Sequence, residues 1–399
     1  MYPDAEGPGS ASPSTGGEWS RNRLLCFVLV AAGFALVYAR SLSWPWLGLD
    51  DWKFIAANPH LGHGWESLRW AVTDVQFGRR WTPVTWVVAC LCGAPTAFRF
   101  HVLVFVLGLI LSLLVTEIYG RHLRRGWVAP AVLLFVFSPL RIEVFTWAMG
   151  FVYESVAILL CVAWLLKKKP WWSALFVMLA LASYPQAAGA AVGYCILNRK
   201  KAAGWAVGAF LLLLAGVQYR LRIQLGVIPW HPRFDYLPLI LPHYALNLLV
   251  PFATVPLFPS LFYPLLIVGA ALVLAAAAWR PFAVACWILL FAPTLAASVT
   301  EGFWFGARYC LVPSIAAYAW IAFELSRVRS RIVLPLLWVI VLGFAVSNLR
   351  DKGMSAGVGL CAAQAKQEAA MVGIDFDLVR TIRGQPPAPA STAPGGQVP

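Results

Sequence analysis

Long apolar runs alternate along this chain with short polar breaks. "LLCFVLVAAGFALVY" (24–38) and "FHVLVFVLGLILSLLV" (100–115) are two of them, and each approaches the roughly 20 apolar residues that a membrane-spanning helix needs. The apolar positions run continuously, where a barrel strand would alternate them with polar ones, so the pattern predicts helices and excludes a β-barrel. Composition agrees: 60% of the residues are hydrophobic and 12% are charged, with a mean hydropathy of +0.73, whereas soluble domains carry roughly 25% charge. The predicted class is an all-α polytopic membrane protein. The first run follows "WSRNR" without a small-residue cleavage site, which predicts a retained anchor in place of a cleaved signal peptide. The eight cysteines lie mostly inside apolar runs, and Cys90 and Cys92 lack the spacing of a CxxC motif; they are expected to act as small buried hydrophobes.

Charge then sorts the runs. The net charge is +14, but the basic residues gather in short clusters between apolar runs, a placement that sets topology and gives no reason to expect nucleic acid. The clusters are "RNR" (21–23), "RHLRR" (121–125), "KKK" (167–169), "RKK" (199–201), Arg280 and "RVRSR" (327–331). If each is cytoplasmic, an even number of spans separates each from the next. Spans near 24–39, 98–119, 127–140, 150–166, 171–183, 185–198, 203–219, 264–279, 282–298, 309–325 and 332–347 meet that condition. The count is about eleven, with a cytoplasmic N-terminus and an outward C-terminus. The condition requires that "WTPVTWVVACLC" (81–92) and "YLPLILPHYALNLLVPFATVPLF" (236–258) lie on the outer face without crossing. The domain reading is a disordered stretch over 1–20, a transmembrane domain over 21–349 with outer loops near 41–97 and 220–263, and an outer tail over 350–399, disordered from about 384.

With this topology, Asp50, Asp51, Glu66, Asp74, Glu143, Glu154, Asp235 and Glu301 fall in or beside outer loops, together with Arg141 and Arg308. Ionisable side chains at membrane depth are costly unless paired or hydrated, which points to an outward-facing cavity.

The same residues sit in recognisable strings. "LDDWKFIAANPHL" (49–61) resembles the "DD…I..NP" opening loop of the transmembrane and tetratricopeptide-repeat-containing O-mannosyltransferases and their bacterial relatives. "SPLRIEVFTWAMG" (138–150) is similar to that family's "HPLRVESVAWISG", and "GARYCLVPSIA" (306–316) to its "ADRYTYLPSIG". His101 stands at the place of the histidine in "GYHLVN", and "LPHYALNLLVPF" (241–252) is similar to a "PRYALNAL" segment. The resemblance covers about residues 24–347 and implies a GT-C-like bundle with outer-face juxtamembrane helices. It implies a glycosyltransferase of the cell inner membrane that takes a sugar, mannose in the named family, from a polyprenyl phosphate and passes it to an acceptor on the periplasmic side. The family's "SGRKD" continuation is replaced here by "MGFVYE" (149–154), its "RPLT" by "TPVT" (82–85) and its "SKP" by "SYP" (183–185), and no tetratricopeptide repeats follow.

Transfer from such a donor needs a base for the acceptor hydroxyl and cations for the leaving phosphate. No Gly-rich phosphate loop is present, so the donor would be held from the membrane side. The resemblance assigns Asp50 and Asp51 as the catalytic pair, one the base and the other orienting it or holding a divalent cation such as Mg²⁺ or Mn²⁺; a helix N-cap is the plain structural alternative. Arg308 would hold the phosphate, with Tyr309 beside it. Arg141 would pair with an acid of the first loop, and Glu143, Glu154 and His101 would complete the substrate site or serve the architecture. His60 and His63 lack a third ligand at metal spacing. Two other functions fit the same features: a lipid-linked saccharide transporter or flippase, and a catalytically inactive GT-C-like scaffold.

Overall fold

The computed structural model describes residues 15–44, 46, 51–56, 58–73, 83–138, 141–224, 241–242, 245, 259–301, 310–328 and 331–349. These residues are mostly helical and include no strand. The helices are α1 (Thr15–Tyr38), α2 (Trp65–Thr73), α3 (Pro83–Cys90), α4 (Ala97–Gly120), α5 (Arg125–Phe137), α6 (Ile142–Thr146) and α7 (Gly150–Leu165). They continue as α8 (Pro170–Ser183), α9 (Ala188–Leu197), α10 (Ala202–Gln224), α11 (Pro259–Trp279), α12 (Pro281–Glu301), α13 (Leu311–Arg327) and α14 (Val333–Leu349). Each segment expected to span contains one of these helices. The region 81–92 forms only the eight-residue α3, about 12 Å long at 1.5 Å per residue and far short of a bilayer. Most of 236–258 lies outside the described residues.

Helix α5 is the central pillar. Its residues from Trp127 to Phe137 are all buried, as expected of a helix that is apolar on every side. It is packed by α1, α4, α13 and α14. A knot of aromatic rings fills the joint between α1, α4 and α6: Phe34 lies 4.9 Å from Tyr38, 5.3 Å from Phe105 and 5.2 Å from Phe145. Such pairs are worth about 0.5–1.5 kcal/mol each beyond simple burial. Gly108 on α4 permits the approach of α7, since a Cβ there would lie 2.7 Å from Phe34 Cζ and 2.9 Å from Glu154 Oε1. Gly150 starts α7 for the same reason, because a Cβ would collide with the Val144 carbonyl. At the far end of the pillar, Asn348 of α14 donates to the Phe137 carbonyl at 2.7 Å.

Apolar side chains also cover the outside of the bundle, among them Leu25 and Leu36 of α1, Leu212 of α10, Phe282 of α12 and Leu342 of α14. Two stretches, Arg23–Ser43 and Ala97–Gly120, are long and apolar enough to cross a membrane, and shorter apolar helices accompany them.

The basic clusters lie at one end. Glu117 near the close of α4 binds Arg23 of α1 at 3.0 Å and Arg121 at 2.9 Å. The His122 ring faces Trp164 at 6.0 Å, which brings the end of α7 and the adjoining lysines to the same place. Tyr194 of α9 donates to the Pro170 carbonyl at 2.6 Å, so 199–201 returns to the level of 167–169. Glu324 holds Arg280 at 2.9 Å and Arg327 at 3.7 Å.

Candidate functional site

At the opposite end the first loop, the 138–150 segment and the start of α13 converge. Asp51 opens a six-residue helical turn, Asp51–Ala56, and is fully buried. Its Oδ1 accepts a hydrogen bond from the Met149 N–H at 3.2 Å, which ties the first loop to the residue before α7. Arg141, also fully buried, donates from Nη2 to the Cys310 carbonyl at 3.4 Å. Tyr318 of α13 donates to Ser138 Oγ at 2.9 Å. Those two bonds join the second segment to the third. Residues about 100 and 170 positions apart in sequence are thereby held within hydrogen-bond reach of one another.

The convergence is buried. Helices α5 and α7 have 13 and 16 residues, about 20 and 24 Å at 1.5 Å per residue. The turn that carries Arg141 and the short α6 lies between them. In that turn, Trp147, Ala148 and Met149 are all buried.

A chain of ring contacts runs from the first loop to α7. His60 stacks on Trp70 at 5.1 Å, Trp70 meets Trp86 of α3 edge-on at 5.5 Å, and Trp86 meets Phe151 of α7 at 5.8 Å. His60 is thus a ring-stacking residue. Among the described residues no group of three or more His, Cys, Asp or Glu side chains comes together, so they offer no complete set of ligands for a divalent cation.

The sequence-predicted residues divide into three groups. Asp51 and Arg141 meet the convergence directly, and His101 is buried near the start of α4, beside Phe100, whose ring lies 5.9 Å from Phe151. Glu154 is fully buried, yet its carboxylate lies against Gly108 in the aromatic joint. Neither of its oxygens has a hydrogen-bond partner among the described residues. Asp50, Arg308 and Tyr309 lie outside the described residues, and Glu143 is placed in α6 by its backbone.

The expected pairing of Arg141 with a first-loop acid is not made by Asp51, whose Oδ1 accepts from the Met149 N–H. The guanidinium instead lies over the Phe135 ring at 5.4 Å. Tyr38, Tyr119 and Tyr318 are the phenols in its electrostatic range, and its Nε and Nη1 have no hydrogen-bond partner among the described residues. A charge in such a setting is costly, on the order of 3 kcal/mol on insertion scales. The tyrosines, Phe135 and Ser138 are site residues that sequence reasoning did not single out. Tyr38 was hidden as the last letter of an apolar run, and only its hydrogen bond to the Val136 carbonyl at 2.7 Å gives it a place. No family model matches this chain, and no curated protein or solved structure matches it either.

Proposed function

We propose that this chain is an integral membrane glycosyltransferase of the GT-C kind, with about eleven spans and a C-terminus on the outer side. On this reading it moves a sugar from a polyprenyl phosphate to an acceptor at the periplasmic face of a cell inner membrane. The observation that supports this best is the convergence of the first loop, the 138–150 segment and the start of α13 at the end away from the basic clusters. Those are the segments that carry the family resemblance, and between them they hold the acids and arginines from which a base and a phosphate-stabilising cation could be drawn.

Within this reading the two aspartates take different roles. Asp51 is pinned to the Met149 N–H and buried, which suits a positioning residue. Asp50, its neighbour in sequence, is assigned as the base. The carboxylate takes the acceptor hydroxyl proton, the acceptor oxygen bonds to the anomeric carbon, and the bond from that carbon to the phosphate oxygen breaks with its electron pair going to the phosphate. Arg308 follows in sequence from the outer loop and is assigned to stabilise that leaving phosphate. Attack from the face opposite the phosphate inverts the configuration. A transporter would need the convergence and its charges but no base, so the aspartates discriminate between the two functions.

The experiment is to incubate purified protein with a short-chain polyprenyl-phosphate mannose and follow release of the polyprenyl phosphate. Release by the wild type and its loss in Asp50→Asn, with unchanged folding, is expected. Full activity in both Asp50→Asn and Asp51→Asn would sink the assignment.

A further inference from the structure

Arg141 is the most fully enclosed cation among the described residues, and the protein gives it little. A guanidinium has five N–H donors. Here one of its nitrogens reaches the Cys310 carbonyl at a long 3.4 Å, while Nε and Nη1 have no hydrogen-bond partner among the described residues. The surrounding phenols are occupied elsewhere: Tyr38 donates to Val136, Tyr119 to Ile315 at 2.6 Å, and Tyr318 to Ser138. Neutral phenols bring no negative charge. Among the described residues no ion pair joins Arg141 to a carboxylate, whereas the arginines at the basic end share Glu117 and Glu324. The guanidinium carbon lies over the Phe135 ring at 5.4 Å, a contact that uses none of its N–H donors in a hydrogen bond.

We infer that Arg141 forms the floor of a binding site for a single phosphate-class oxyanion where α5 stops, α6 begins and α13 starts. A planar, weakly hydrated guanidinium with unused donors matches phosphate oxygens in shape and charge. The anion is either the phosphate of a lipid or a free phosphate, since both present the same oxygens. The inference takes its location from the site proposed above, but it needs no transfer reaction: a protein that binds a lipid phosphate without cleaving anything would use Arg141 in the same way.

The test uses the full chain in detergent and three probes: geranylgeranyl phosphate, the uncharged geranylgeraniol, and inorganic phosphate. Binding is read by native mass spectrometry and by thermal shift. Wild-type protein is expected to take up one phosphate-bearing probe and to ignore geranylgeraniol. Geranylgeranyl phosphate without inorganic phosphate identifies a lipid source, and inorganic phosphate alone a free one. Arg141→Gln is expected to weaken binding about tenfold or more, as loss of a charge-assisted bond predicts. Arg141→Lys, which keeps the charge and loses the planar fork, is expected to weaken it less and provides the measurement if the glutamine variant does not assemble. Binding of neither phosphate probe by the wild type, or unchanged affinity in an assembled Arg141 variant, overturns the inference. Binding through Arg141 without release of polyprenyl phosphate from a sugar donor would retain this site and refute the transferase reading. Release that is indifferent to Arg141, with no phosphate bound there, would refute the site alone.

Discussion

The two ends of the bundle treat charge in opposite ways. At the basic end, Glu117 and Glu324 each hold two arginines, and those arginines are half-exposed, Arg23 at 50% and Arg327 at 54%. Such pairs are worth about 0–1 kcal/mol each, because water already solvates the partners. At the other end Arg141 and Glu154 are fully buried, and neither has an acid–base pair among the described residues. The first arrangement anchors helix ends and marks a side. The second carries a standing cost that packing alone does not explain, and that is where a ligand has something to stabilise.

The sharpest way to break this contrast is Asp50→Asn. If the end with unpaired charges is catalytic, loss of a general base lowers transfer about 10²- to 10⁴-fold while the melting temperature in detergent stays put. The next is Gly108→Leu, which forces a side chain into Phe34 and Glu154. Overpacking of this kind costs about 1–3 kcal/mol, read as a lower melting temperature and poorer monodispersity on size exclusion. A smaller effect separates the two kinds of acid. Glu154→Gln removes a carboxylate that has no described partner and is expected to leave thermal stability equal or higher. Glu117→Gln gives up its pairing with Arg23 and Arg121 and is expected to lower stability by up to about 1 kcal/mol. A larger loss from Glu154→Gln than from Glu117→Gln would reverse the contrast.

The smallest effect belongs to His122 in the turn after α4. Burial, then the nearby Lys167 and Arg121, hold its pKa below the ordinary histidine value. The unfolded chain therefore takes up a proton before the folded one does, so stability falls as pH drops below about 6.5. His122→Asn should flatten that part of a melting-temperature profile, and an unchanged slope would remove His122 from the account.

Much of the scaffold was legible because the apolar runs are continuous and the breaks are basic. The α4 and α7 segments were expected at 98–119 and 150–166 and occur at Ala97–Gly120 and Gly150–Leu165. The short elements were less legible. The helical turn at Asp51–Ala56 and the five-residue α6 have no periodicity to detect, and they exist because the ends of longer helices enclose them. In the candidate site, the acids and Arg141 stood out as charges among apolar neighbours. Their partners did not, because the Met149 N–H and the Cys310 carbonyl are backbone groups that almost any residue carries. Glu154 shows the limit most clearly. It was grouped with the outer acids by its place in the chain, yet its carboxylate turns toward Gly108.

The bond from Asn348 to the Phe137 carbonyl bears on assembly as well as on packing. Its two residues are separated by 211 positions, so α5 is synthesised long before α14 can cover it. During synthesis the central pillar must therefore wait, with one flank uncovered, until the last described helix arrives. A ribosome-bound chain arrested before residue 333 should remain accessible to proteases in the 138–150 segment. Release of the full chain should close it, which would make maturation of the candidate site the last event of biogenesis.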